Sequence, residues 1–487
     1  MSATTRSGYP PIRTWLPKYK WAEDLPYDVA AGLTVGVMAI PQSLSYALIA
    51  GLPPAYGLYS DLQICYPIFG SSKFLVVGPV AVMSLMSRFA MEKLNYTESS
   101  AEWVNMVCFL SVLVAAIQFL IGSQGWGSRI SALLPAPAIA GFSSAAALII
   151  GSTQLAALFG IDKCKLDNGQ SCDFLSSILY TMSNAHRMNK ATFACGILSF
   201  ATLYAFRALE PTRKVPAHPH SHLPTSTGAN TNASSRNAKQ VSLFRSLVPK
   251  LGALFVVVAS TSLMLLVEGD AFEGAQALGG IKQVGFIPSG LPSPRWIPAL
   301  PQSLEVFVSL AVSSVPIALV GFAEASAIAK SSTKLRNEDV SAISDDYEVL
   351  ALAFCNAFTA WVGGYPVTGS FSRTAINAES GARSALSTAI AALAVVVVLL
   401  FCTQFLAHLP KAAVSAIVLS AVIKLVDYHE FVTLLRSYRA NSSDRRVWVF
   451  SVVFMASLVL GVEQGLFAGV LVHFILQRVE QGERAIV

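Results

Sequence analysis

Gly364-Tyr-Pro-Val-Thr-Gly-Ser-Phe-Ser-Arg-Thr-Ala-Ile-Asn377 sits between long apolar runs, and its reading decides the fold. Pro366 and Gly369 punctuate the chain, so a helix begins only after them. That helix turns polar by Asn377-Ala378-Glu379. At about 1.5 Å per residue it reaches roughly half the hydrocarbon thickness of a bilayer. A second short helix begins at Gly78-Pro79 and becomes charged by Arg88. A half-helix leaves unpaired backbone N–H groups near the membrane midplane, where they carry partial positive charge. Two such N-termini from halves of opposite orientation would face each other, which is a ready-made anion site. Ordinary helices with glycine kinks are the alternative reading of the same residues.

Working outward, the rest of the chain has the composition this requires. Of 487 residues, 54% are hydrophobic and 13% charged, with a mean hydropathy of +0.56. Soluble domains carry about a quarter charged residues, so a soluble enzyme is excluded. No catalytic triad, P-loop or metal-ligand spacing is present either. Apolar runs recur from residue 29 to residue 478. At about 20 residues per crossing they predict about fourteen spans in an all-α polytopic membrane protein. Residues 1–28 form a polar N-terminal segment without the apolar stretch of a signal peptide. Residues 29–267 hold spans one to seven, 268–304 a Pro/Gly-rich outside linker, 305–478 spans eight to fourteen, and 479–487 a tail. An odd span count per half inverts the second half.

Lys and Arg cluster at Arg6–Lys20, around the 209–246 loop, at Lys330–Arg336 and at Arg436–Arg446. All four segments fall on one side when spans are counted in order, which puts both termini in the cytosol. The net charge of +6 therefore reflects loop patterning and not nucleic-acid binding. Asn95-Tyr96-Thr97 is a glycosylation acceptor on the expected outside, whereas Asn232 and Asn441 fall inside and read as chance matches. The 211–246 stretch reads as a disordered loop, and its His218, His220 and His222 as a solvated tract. Five of the seven cysteines lie in or near spans. Cys164 and Cys172 flank an outside loop whose spacing permits a disulfide.

Three motifs carry a family resemblance. Ala39-Ile-Pro-Gln-Ser-Leu-Ser-Tyr-Ala-Leu-Ile-Ala-Gly-Leu-Pro-Pro-Ala-Tyr-Gly-Leu-Tyr59 resembles the first-span signature of the sulfate permease (SulP), or solute carrier 26, anion transporters. Gly78-Pro-Val-Ala-Val-Met-Ser84 resembles the start of their third span, and Gly364–Asn377 their tenth. The resemblance implies a seven-plus-seven inverted repeat of the UraA-like type, with a core domain (spans 1–4 and 8–11) moving against a gate domain (5–7 and 12–14). It places Gln42 and Tyr46 at the anion, opposite Pro79, Val80 and Ala81 of span three and Ser370, Phe371, Ser372 and Arg373 of span ten. Gln42 and Tyr46 are one turn apart, next to Pro41, which is expected to break the helix. Most members of the family this chain resembles carry a cytosolic STAS domain after the last span, and this sequence ends at Val487.

Two intramembrane charges are the candidate chemistry. Arg373 costs several kcal/mol unless partnered, by an anion or by Glu379 or a backbone carbonyl. Glu324 is a candidate proton carrier, as the resemblance implies for plant-type sulfate–proton symporters; a static pair with Arg373 is the alternative. Ile328, one turn on, offers no side-chain oxygen to a sodium ion. Glu463 reads as a gate-domain hydrogen-bonding residue. The expected function is secondary active transport of an inorganic anion, sulfate foremost, coupled to protons by an elevator-like movement. The alternatives are anion exchange or an anion channel. No cofactor is called for, a homodimer is compatible with the sequence, and the host membrane is the plasma membrane or an endomembrane.

Overall fold

The computed structural model describes residues 10–94, 96–133, 136–161, 174–209, 251–268, 280–294, 300–423 and 445–459, with scattered residues elsewhere, Cys164 and Cys172 among them. Asn95, Asn232, Asn441, Glu463, the histidine-containing loop and the tail lie outside the described residues.

The principal helices of the first half are α1 (Trp21–Ile49), α2 (Ala81–Glu92), α3 (Ala101–Ser123), α4 (Ala136–Leu158), α5 (Phe174–Ser183), α6 (Lys190–Ala208) and α7 (Gly252–Glu268). Those of the second half are α8 (Leu304–Leu335), α9 (Asp345–Trp361), α10 (Phe371–Glu379), α11 (Leu386–Phe401), α12 (Lys411–Val422) and α13 (Arg445–Val459). Among the described residues, α1, α3, α4, α6 and α8 are long and apolar enough to cross a bilayer. Between α1 and α2 the chain forms only short helical pieces, Ala55–Ser60 and Tyr66–Phe69. Cys164 and Cys172 are joined in a disulfide.

The helices fall into two groups by contact. In the first, α3 packs along α9 and α8, and α1 lies along α11. Gly36 makes the second of these crossings close: a Cβ there would sit 2.7 Å from Ala394 Cβ. In the second group, α4 packs on α12 and α13, and α6 on α12 and α7. The groups meet chiefly where α1 touches α12 and α7, and where α2 touches α4.

One expectation is corrected. Pro41 does not break α1, which runs on through both Pro26 and Pro41 to Ile49. A proline inside a helix removes the hydrogen bond to the carbonyl four residues back, but inside a packed membrane bundle neighbouring groups compensate. The carbonyl that Pro41 leaves without its helix partner is that of Val37; one turn on, the Ser45 hydroxyl donates to the Pro41 carbonyl at 2.6 Å.

The short helices behave as their punctuation dictates. Pro79 precedes α2, and the Pro366–Gly369 stretch precedes α10, so extended chain leads into both. The two extended lead-in segments pair with one another: β1 (Val77–Gly78) and β2 (Thr368–Gly369) are antiparallel, with Val77 opposite Gly369 and Gly78 opposite Thr368. This two-residue pairing, buried throughout, brings the starts of two half-helices together in the interior.

Candidate anion-binding site

The chain holds this crossing rigidly. Ser370 N–H donates to the Val76 carbonyl at 2.9 Å, Val76 N–H to Thr374 Oγ1 at 2.9 Å, and Asn377 Nδ2 to the Phe74 carbonyl at 2.9 Å. Asn356 on α9 grips Val367 at both backbone groups: Val367 N–H donates to its Oδ1 at 2.8 Å, and its Nδ2 donates to the Val367 carbonyl at 3.2 Å. The same Nδ2 donates to Gln118 Oε1 on α3 at 2.9 Å. Thr368 Oγ1 donates to the Gly321 carbonyl of α8 at 2.5 Å, one turn before Glu324.

The helix starts differ in how they are capped. Ser100, Asn189 and Ser303 cap α3, α6 and α8 by accepting a backbone N–H on the side-chain oxygen. Val80 and Ser370, which begin the half-helices, supply no such cap. Orphan N–H groups are normally satisfied by side chains, water or ligand, and together they carry about +0.5 charge per helix. Buried and uncapped, the two ends favour an anion between them.

The residues singled out in the sequence lie at the two half-helices, on α1 and on α8. Pro79 leads into α2, Val80 holds its cap position and Ala81 is its first residue. Ser370 and Ser372 hydroxyls lie 3.5 Å apart at the start of α10. Phe371 between them is 44% exposed, whereas Arg373 is fully buried. Gln42 and Tyr46 are buried on α1; Gln42 Oε1 has no hydrogen-bond partner among the described residues. Tyr46 lies within electrostatic reach of Arg373, Glu324 and Asp61. Glu324 is buried on α8, and its Oε2 is likewise without a hydrogen-bond partner among the described residues.

The ionic partner of Arg373 is a residue the sequence reading passed over. Arg373 Nη1 and Asp61 Oδ1 are 2.5 Å apart, with side chains 0% and 4% exposed. Nη2 donates to the Pro79 carbonyl at 2.5 Å, and Ser43 Oγ donates to Asp61 Oδ2 at 2.9 Å. Gly78 makes room for the pair: a Cβ there would lie 2.7 Å from Arg373 Nη1 and closer still to Asp61. Two motif residues that were not site candidates also join the cluster: the Ser84 hydroxyl donates to Tyr365 Oη at 3.2 Å, at the first turn of α2.

The model of the sulfate permease family matches residues 25–450. The chain belongs to that family. Sulfate transporter 4.1, chloroplastic, of Arabidopsis thaliana is 30% identical over 94% of this chain and 59% of its own length. The sodium-independent sulfate anion transporter of Bos taurus is 30% identical over 98% of this chain and 73% of its own length. The chain thus spans about six-tenths of the plant relative. Among solved structures, the murine solute carrier 26 family member A9 anion transporter in the inward-facing state superposes with a TM-score of 0.76 at 22% identity, covering 99% of this chain and 73% of that one. The transmembrane domain of a cyanobacterial bicarbonate transporter gives 0.65 at 20% identity, covering 91% and 97%. The fold is the UraA-like seven-plus-seven inverted repeat, and the protein is an integral, multi-pass membrane protein.

Proposed function

We propose that this protein is a secondary active transporter of sulfate or a similar oxyanion, and that it moves protons with its substrate. The observation that carries the proposal is the β1–β2 crossing, which aims two uncapped half-helix N-termini into one buried place. Gln42, Tyr46, Pro79, Val80, Ala81, Ser370, Phe371 and Ser372 line the anion, and Arg373 adds a guanidinium behind it. Glu324, a buried carboxylate next to the α8–β2 contact, carries the proton. The names of the plant and bovine relatives, both sulfate transporters, support the substrate class. The two helix groups correspond to a core that carries the site (α1–α3 and α8–α11) and a gate (α4–α7, α12 and α13) along which it slides. Both termini are cytosolic, in a plasma membrane or an endomembrane, and a homodimer is the proposed assembly.

The test is uptake of radiolabelled sulfate into proteoliposomes holding the purified chain, with and without an acidic exterior. Accumulation above equilibrium only with the pH gradient supports coupling. Equal uptake in both conditions points to exchange or facilitated diffusion.

A second reading, anion exchange without protons, is favoured by one observation. The Arg373–Asp61 pair carries no net charge, which suits a site made for a monovalent anion.

A further inference from the structure

We infer that Asp61 is a specificity-determining residue that sets how much negative charge the anion site accepts. The inference rests on the anion site proposed above and deepens it. Without Asp61, Arg373 and the two helix ends would supply about two positive equivalents, enough for a dianion. Asp61 removes one of them. Its carboxylate is held against Arg373 by geometry that leaves it little freedom: the second oxygen takes the Ser43 hydroxyl at 2.9 Å, and the missing side chain at Gly78 opens the space both groups share.

The charged and titratable groups around the pair come from every neighbouring element. Tyr46 lies on α1, Tyr365 on the segment leading into β2, Arg373 on α10 and Glu324 on α8. Arg373 is the one cation among them. With Asp61 ionised, the field that meets an incoming anion is therefore that of the helix ends, about one positive equivalent. An ionised Glu324 cancels that equivalent, so a monoanion is matched only with Glu324 protonated. A dianion leaves about two negative charges unmatched beside an ionised Glu324 and about one once Glu324 takes a proton. Asp61 thus supplies a physical reason for a proton to accompany sulfate at this site.

The experiment measures binding of radiolabelled sulfate to the purified, detergent-solubilised chain, with sulfate and chloride as competitors, in wild type, Asp61→Asn, Asp61→Glu and the double variant Asp61→Asn/Arg373→Gln. Asparagine keeps an oxygen facing Arg373 and removes only the charge. One more unit of positive charge within several Å of the anion is worth at least a tenfold change at an effective dielectric near 20. Asp61→Asn is expected to raise the sulfate-over-chloride affinity ratio at least tenfold. Asp61→Glu, which keeps the charge, is expected to hold the ratio within a few-fold of wild type whatever it does to absolute affinity. The neutral double variant, which lacks Arg373, is expected to bind both anions more weakly, at a ratio within a few-fold of wild type. An unchanged or lower ratio in a monodisperse Asp61→Asn protein overturns the inference. If Asp61→Asn does not fold, the double variant decides: a ratio raised tenfold there, with the pair charge still zero, overturns it as well. Wild-type protein that binds neither anion defeats the site itself, and is told apart by needing no variant.

Discussion

Arg373 illustrates how a single buried charge is decided by what sits beside it. Its guanidinium meets Asp61 and the Pro79 carbonyl, and both side chains of the pair are buried. Removing one member of a buried ion pair strands the other, at a cost of about 3–5 kcal/mol. Arg373→Ala is therefore expected to lower the thermal midpoint of the detergent-solubilised protein strongly, and Asp61→Asn/Arg373→Gln to recover most of that loss. A midpoint in Arg373→Ala equal to wild type would mean that the pair is not closed in the membrane protein. Gln42→Ala and Ser372→Ala each remove one hydrogen-bonding group from the proposed site, so sulfate affinity is expected to drop by several-fold to tens of fold. Competition binding reads this directly. Much at this scale was legible in the sequence, because Arg373 and Glu324 are charges in apolar runs. Asp61 was equally visible as an intramembrane carboxylate, but it follows a Tyr/Gly-rich stretch that reads as the end of a signature. Its partner lies 312 residues away. Only the fold joins them.

At the scale of elements, the two half-helices owe their geometry to what precedes them. Gly78-Pro79 and the Pro366–Gly369 stretch prevent earlier helix, so both starts were readable from punctuation alone. What the sequence could not state is that the two lead-in segments pair as β1 and β2, since a two-residue antiparallel contact has no periodicity to read. The continuity of α1 through Pro41 was missed for the opposite reason: local propensity predicts a break, and bundle packing overrides it. The crossing yields a contrast between glycines. Gly78→Ala places a methyl group against Asp61 and Arg373 and is expected to abolish sulfate binding. Gly151→Ala on α4 meets only Leu419 Cδ2 at 3.9 Å and is expected to bind as wild type does. Equal binding by both variants would remove the ion pair from any role in the site. Asn356→Ala frees both backbone groups of Val367 and is expected to weaken sulfate binding without Asn356 touching the anion, with Asn356→Asp restoring less than half of the affinity because it keeps only the acceptor.

Across the whole molecule, the inverted repeat was foreshadowed by an odd number of apolar runs in each half, while the Lys/Arg clusters carry only the proposed orientation. Arg13 and Lys18 precede α1, and Lys330, Lys334 and Arg336 close α8 or follow it. Labelling single cysteines placed in residues 211–246 is expected to require permeabilised cells, and reactivity from outside intact cells would invert the proposed orientation. The division into two helix groups could not be read from periodicity, because it depends on which faces pack; only the family resemblance implied it. In the proposed mechanism the group carrying α2 and α10 moves relative to the other, and a loaded core that keeps an uncompensated charge meets a steep barrier in crossing a low-dielectric gate. In this proposal protonation of Glu324 lowers that charge, and its Oε2, without a hydrogen-bond partner among the described residues, is the proposed proton site. Glu324→Gln, a fixed mimic of the protonated acid, separates binding from coupling. The decisive measurement compares pH-gradient-driven sulfate accumulation with sulfate–sulfate exchange in the same Glu324→Gln proteoliposomes. Exchange retained with gradient-driven accumulation lost is the expected result; accumulation that survives in Glu324→Gln contradicts proton coupling through this residue.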